Sequence, residues 1–76
     1  MELDNLIVMA NKIGLFFAAQ PDRDEALAGI AEHLKKFWAP RMRTRILAAV
    51  GTDAGAGLSE IVSAALSTHR AMLQPG

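Results

Sequence analysis

The sequence predicts an all-α fold, a small four-helix bundle-like domain spanning residues 1–76, on three observations. Apolar residues recur at helical spacing in four segments, no stretch alternates apolar and polar residues as a half-buried strand does, and helix-starting and helix-stopping residues fall between the segments. No internal repeat or low-complexity tract competes with that reading.

The first segment, Leu3 to Ala19, carries Leu6, Ala10, Ile13 and Phe17 as one core stripe. Projected at about 100° per residue, Val8 and Leu15 fall on the opposite side, beside Asp4 and Asn11, so this helix is apolar nearly all round. A helix of that kind is normally buried on more than one side, and a chain of 76 residues has little material to surround it. The second helix begins at Asp22, with Glu25 three residues on in a capping-box-like start, and Leu27, Ile30, Ala31, Leu34, Phe37 and Trp38 form its stripe. Lys35 and Lys36 fall in its last turn, where cations suit the carboxyl end.

Ala39, held extended by the proline that follows it, stops the second helix near Trp38, and Pro40 suits the first position of a third. That third helix, Pro40 to Val50, places Met42, Ile46, Ala49 and Val50 on one face, with Arg41 and Arg45 on one flank and Arg43 on the other. Gly51 closes it. After a "TDAGAG" loop, Ser59 is a good N-cap for a fourth helix to Leu73, whose face is Ile61, Val62, Ala65, Leu66 and Leu73. Gln74 to Gly76 are expected to fray.

Size makes the margin thin: a chain this long can expect about 4 to 11 kcal/mol of stability in isolation. Small chains usually gain support from disulfides, a metal or a partner. With no cysteine, and with His33 and His69 far apart, the first support is excluded and clustered zinc or iron-sulfur ligation has no ligand set. A partner is the support that remains. Composition agrees, because 51% of residues are hydrophobic yet only three Phe, one Trp and no Tyr are present, so apolar surface is spread thinly along helices. No segment reads as a signal peptide or membrane span, since Asp4, Asn5, Asn11 and Lys12 interrupt the most apolar region; a cytoplasmic location is the expectation.

Catalysis needs converging groups, and here the carboxylates cap helices or face solvent while neither His has a fixed acid neighbour in sequence. His33 is placed on the polar side of the second helix near Glu32 and Lys36, as a solvated or locally hydrogen-bonded imidazole. The "GTDAGAG" glycines lack the Gly-Lys-Ser/Thr of a phosphate loop, and Glu60 stands where a dinucleotide fingerprint needs its third Gly. They read as a helix cap and connector. No catalytic residue, metal ligand or cofactor is expected.

The stretch "HLKKFWAPRMRTR", residues 33–45, concentrates five basic side chains in a chain of zero formal net charge. By segment the charge is −1 for residues 1–19, −1 for 20–39, +3 for 40–50 and −1 for 51–76. Two helices around this corner could form a helix-turn-helix-like nucleic-acid-binding regulator. About three phosphate contacts, however, give a salt slope near −3, and no side chain beyond arginine is placed to read base edges. A protein interface, where Arg, Trp and Met are enriched, accounts for more of the residues.

At this point "MANKIGLFFAAQPDRDEALAGIAEHLKKFWAPRMRTRIL" with "GAGLSEIVSAAL" resembles the delta subunit of NAD-dependent, molybdenum-containing soluble formate dehydrogenases. The strongest parts are Met9-Ala10-Asn11-Lys12-Ile13-Gly14 with Phe16-Phe17, Pro21-Asp22-Arg23, Gly29-Ile30-Ala31, and Phe37-Trp38 with Pro40-Arg41-Met42-Arg43; the tail after Leu66 adds nothing. The resemblance implies a small non-catalytic component of a cytoplasmic complex that oxidises formate to carbon dioxide. In that family the large subunit holds the molybdenum cofactor and iron-sulfur clusters, other subunits pass electrons through clusters and flavin to NAD, and the delta chain helps assemble or hold the complex.

The expected partners are therefore the larger formate dehydrogenase subunits, the molybdenum-bearing one first, with no nucleic acid and no membrane. The residues expected to meet them are Val8, Leu15, Phe16, Trp38, Arg41, Arg43 and Arg45. If Trp38 stays partly exposed it is the expected hot spot; if it is internal it only sets the corner. A transient assembly chaperone would share the same partner, and an isolated sample is open to pairing with itself through the same face.

Overall fold

A computed structural model describes residues 2–75. Its elements are α1 (Leu3–Phe17), α2 (Arg23–Phe37), α3 (Pro40–Ala49), a 3-10 turn (Asp53–Gly55), α4 (Glu60–Thr68) and α5 (Arg70–Leu73), with no strand among the described residues. The all-α architecture is the one the apolar spacing predicts. The five residues between α1 and α2 fold them into a helical hairpin, and α2 is the central element, packing on α1, α4 and α5. Leu6, Ile30, Leu34, Ile46, Val62, Leu66 and Leu73 are fully buried and join all five helices in one core.

The punctuation works locally. Asp22 is the N-cap of α2, its carboxylate accepting from the Glu25 amide at 3.2 Å. Trp38 and Ala39 are extended, and Pro40 opens α3 at its first turn. Gly51 takes a φ of +79° after α3, a conformation that a side chain would strain. Gly55 passes so close to the Ala49 carbonyl that a Cβ there would collide with it.

Four expectations need correction. The fourth helix is broken at His69, whose φ of −109° and ψ of 27° turn the chain into α5 and bring Leu73 fully into the core. Ser59 occupies the N-cap position of α4, but its hydroxyl makes no capping bond and has no hydrogen-bond partner. On α3 the buried face is Arg43, Ile46, Leu47 and Ala49, with Met42 and Val50 only partly covered, and Arg43 is held inward by hydrogen bonds to the Leu73 and Trp38 carbonyls. Phe37 leaves the core stripe of α2: the extended Trp38 backbone turns the indole inward and leaves the Phe37 ring exposed. Of the expected frayed end, Gly76 lies outside the described residues, while the Gln74 amide donates to the Arg70 carbonyl at 3.0 Å.

The shortest dimension of the molecule is 19 Å, room for two layers of helices about 10 Å across. Its accessible surface of 4555 Å² is close to the roughly 4,500 Å² expected of a folded chain of this mass. α1, already packed on α2, α3 and α4, has no further layer to cover its outer side.

Candidate functional site

α1 presents that uncovered side. Leu6, Ile7, Ala10 and Gly14 are buried, with Ile13 and Phe17 partly so, whereas Val8 is 52% exposed, Leu15 76% and Phe16 74%. Phe37, at the end of α2, is 67% exposed. A small folded monomer does expose apolar atoms, and here four large side chains of one helical hairpin stand half or more in water.

α1 is fixed in this orientation by contacts on its other faces. At Gly14 the helix approaches α4 so closely that a Cβ would stand 2.6 Å from Val62 Cγ2. Asn11 donates from Nδ2 to the Gly57 carbonyl at 2.9 Å and accepts from the Ser59 amide through Oδ1 at 2.9 Å, clamping the loop before α4. The Asn11 side chain thus supplies an acceptor at the start of α4, where the Ser59 hydroxyl supplies none.

Beside the outer face of α1, an open cleft of about 360 Å³ lies between the two helices of the hairpin, lined by Lys12, Ile13, Phe16, Phe17 and His33. Its floor exists because position 29 is glycine: the Phe17 ring lies over it, and a Cβ there would be 2.5 Å from Phe17 Cε1. Phe16 meets Phe17 edge to face at 5.2 Å, His33 tilts against Phe37 at 4.8 Å between centroids, and Lys36 Nζ sits 6.0 Å from the Phe37 centroid. His33 is therefore set among aromatic rings, partly buried, rather than on an open polar face.

The basic corner behaves differently. Trp38 is 6% exposed and Arg43 7%, so the two residues at the centre of the expected interface are turned into the chain. Arg43 Nε donates to the Leu73 carbonyl at 2.9 Å, and Nη1 donates to the Trp38 carbonyl at 2.9 Å and, at 3.4 Å, to that of Lys35. These carbonyls end α2 and α5, where the helical ladder offers no donor and the helix dipole is negative, so the cation is buried with neutral partners that suit it. Lys35 Nζ donates to the Met72 carbonyl at 3.1 Å, and Arg70 Nη2 to the Leu47 carbonyl at 3.1 Å near the end of α3. Arg23 pairs with Glu60. Among the described residues these four cations of eight are engaged internally, and Lys12, Lys36, Arg41 and Arg45 point to solvent.

Of the seven residues expected to meet a partner, then, Val8, Leu15, Phe16, Arg41 and Arg45 are exposed, while Trp38 and Arg43 are internal and set the corner. Sequence reasoning missed Phe37 as a surface residue, and Asn11 as a clamp. Among the described residues no group of three or more His, Cys, Asp or Glu side chains is arranged to hold a metal ion, and no helix is long and apolar enough to cross a membrane.

No curated protein and no solved structure matches the chain. A family model described as "NADH-dependant formate dehydrogenase delta subunit FdsD" matches residues 5–66, which takes in the hairpin, the corner, α3 and most of α4. The chain belongs to the FdsD family of formate dehydrogenase delta subunits.

Proposed function

We propose that the chain is a non-catalytic small subunit that docks on, and stabilises or helps assemble, a cytoplasmic NAD-dependent formate dehydrogenase through the outer face of α1. Family membership supports the identity of the complex. The observation that carries the docking role is the exposure of Val8, Leu15 and Phe16 on a helix whose other faces are already packed. Moving each such side chain out of water is worth about 1.5–3 kcal/mol before ordering costs are subtracted, so a few of them suffice for specific binding.

Arg41 and Arg45, free on the outer face of α3, contribute to orientation and encounter rather than to affinity. The molybdenum-bearing subunit is the first partner to test. A nucleic-acid role is disfavoured, since one of the three arginines it would need is spent on internal carbonyls.

The test is purification of a tagged chain from cells that make the whole enzyme, in parallel with and without nuclease. Larger redox subunits are expected to follow the tag in fixed stoichiometry, and a Leu15→Asp, Phe16→Asp chain that keeps its helical circular dichroism is expected to lose them. Recovery of nucleic acid in place of those subunits, or retention by the double variant, would overturn the reading.

A further inference from the structure

The cleft between α1 and α2 adds a chemical specification to the docking face. We propose, resting on the docking role above, that this cleft receives an acidic amphipathic helix of the partner subunit. An apolar anchor side chain of that helix enters among Ile13, Phe16, Phe17 and His33, and its carboxylates meet Lys12 and Lys36.

Three features on the surface select this occupant. The cleft runs along a helical hairpin, and a groove between two packed helices accepts the ridge of a third. Its lining is apolar apart from Lys12 and His33, which asks for a large aliphatic or aromatic anchor. The one formally charged residue in its lining is a cation, Lys12, and a second, Lys36, stands outside the lining over the Phe37 ring that meets His33. Among the described residues neither lysine has a carboxylate partner, the ion pair found being Arg23 with Glu60.

Those lysines also argue against a second copy of this chain as the occupant. A two-fold pairing brings the same patch of both copies together, so the interface would gather the Lys12 and Lys36 of both copies with no carboxylate in the cleft lining to offset them. A basic helix meets the same repulsion. An acidic one finds Lys12 in the lining and Lys36 near its edge.

The experiment places a photoreactive phenylalanine analogue at position 16, 37 or, separately, 15 in the complex assembled in cells, and identifies the crosslinked peptides by mass spectrometry. Positions 16 and 37 are expected to capture one helical peptide of a larger subunit carrying Asp or Glu at three- or four-residue spacing. A Lys12→Glu, Lys36→Glu chain is expected to bind the complex roughly tenfold more weakly at low salt, with the gap closing as salt screens the rim. Capture of a neutral or basic peptide, capture of another copy of this chain, or full retention by the charge-reversed chain would overturn the proposal. If position 15 reaches a larger subunit while 16 and 37 do not, the cleft assignment falls and the docking role stands. If the unmodified chain fails to co-purify at all, both fall together.

Discussion

The corner between α2 and α3 and the outer face of α1 reverse the usual placement of residue types. At the corner an arginine is buried beside a tryptophan, and on α1 valine, leucine and phenylalanine stand in water. The corner obeys a rule of bond accounting: helix ends leave carbonyls without donors, and a guanidinium that reaches several of them is stable indoors. The face of α1 obeys a rule of layers, because a molecule 19 Å thick cannot cover a helix from both sides. Side-chain polarity alone assigns both regions wrongly; the supply of partners assigns them correctly.

The largest expected effect breaks the first half of that contrast. Arg43→Ala removes the donor to two carbonyls at 2.9 Å and leaves them buried, at about 1–3 kcal/mol each. A loss of about 3–4 kcal/mol is expected in chemical denaturation, with a fall of about 15–25 °C in melting temperature. A loss below about 1 kcal/mol would mean that Arg43 is not a structural cap. Arg43→Lys should recover little of it, since an ammonium lacks the planar fork that spans the ends of two helices.

Asn11→Ala comes next, because it removes both bonds that hold the loop before α4 against α1. About 1–2 kcal/mol is expected, together with faster amide exchange at the Ser59 N–H, which loses its acceptor. Leu15→Ser sharpens the other half of the contrast: exposed at 76%, it should change stability by no more than about 0.5 kcal/mol while weakening retention by the enzyme complex. The smallest effect is expected at Ser59. An N-cap serine that bonds its helix is worth about 0.5–2 kcal/mol, but here the hydroxyl bonds nothing, so Ser59→Ala should be close to neutral in the same denaturation assay.

Much of the fold is legible in sequence because its rules are local. Asp22 with Glu25, the Ala39-Pro40 junction and Gly51 each act within a few residues, and each sets its boundary as those residues predict. The α1 face is legible too, since Val8 and Leu15 project opposite the core stripe whatever the rest of the chain does. What the sequence hides is contact over distance. Arg43 looks like a surface cation until Leu73, thirty residues away, is seen to offer it a carbonyl. The break at His69 likewise has no local breaker, neither proline nor glycine, and goes with the burial of Leu73 against the rest of the core. Phe37 and Trp38 are adjacent and equally apolar, so only the backbone turn between them tells which ring goes inside.

Gly29 sets the depth of the hollow beside the hairpin from beneath the Phe17 ring. The Phe17 ring rests on its bare backbone, so one methyl group at that position would tilt the ring and refill the hollow from beneath. The outer leucine and valine would be left as they are. A Gly29→Ala chain would keep the outer face of α1 and change only the depth of the hollow, so it would reveal whether the docking proposed above depends on depth or merely on grease.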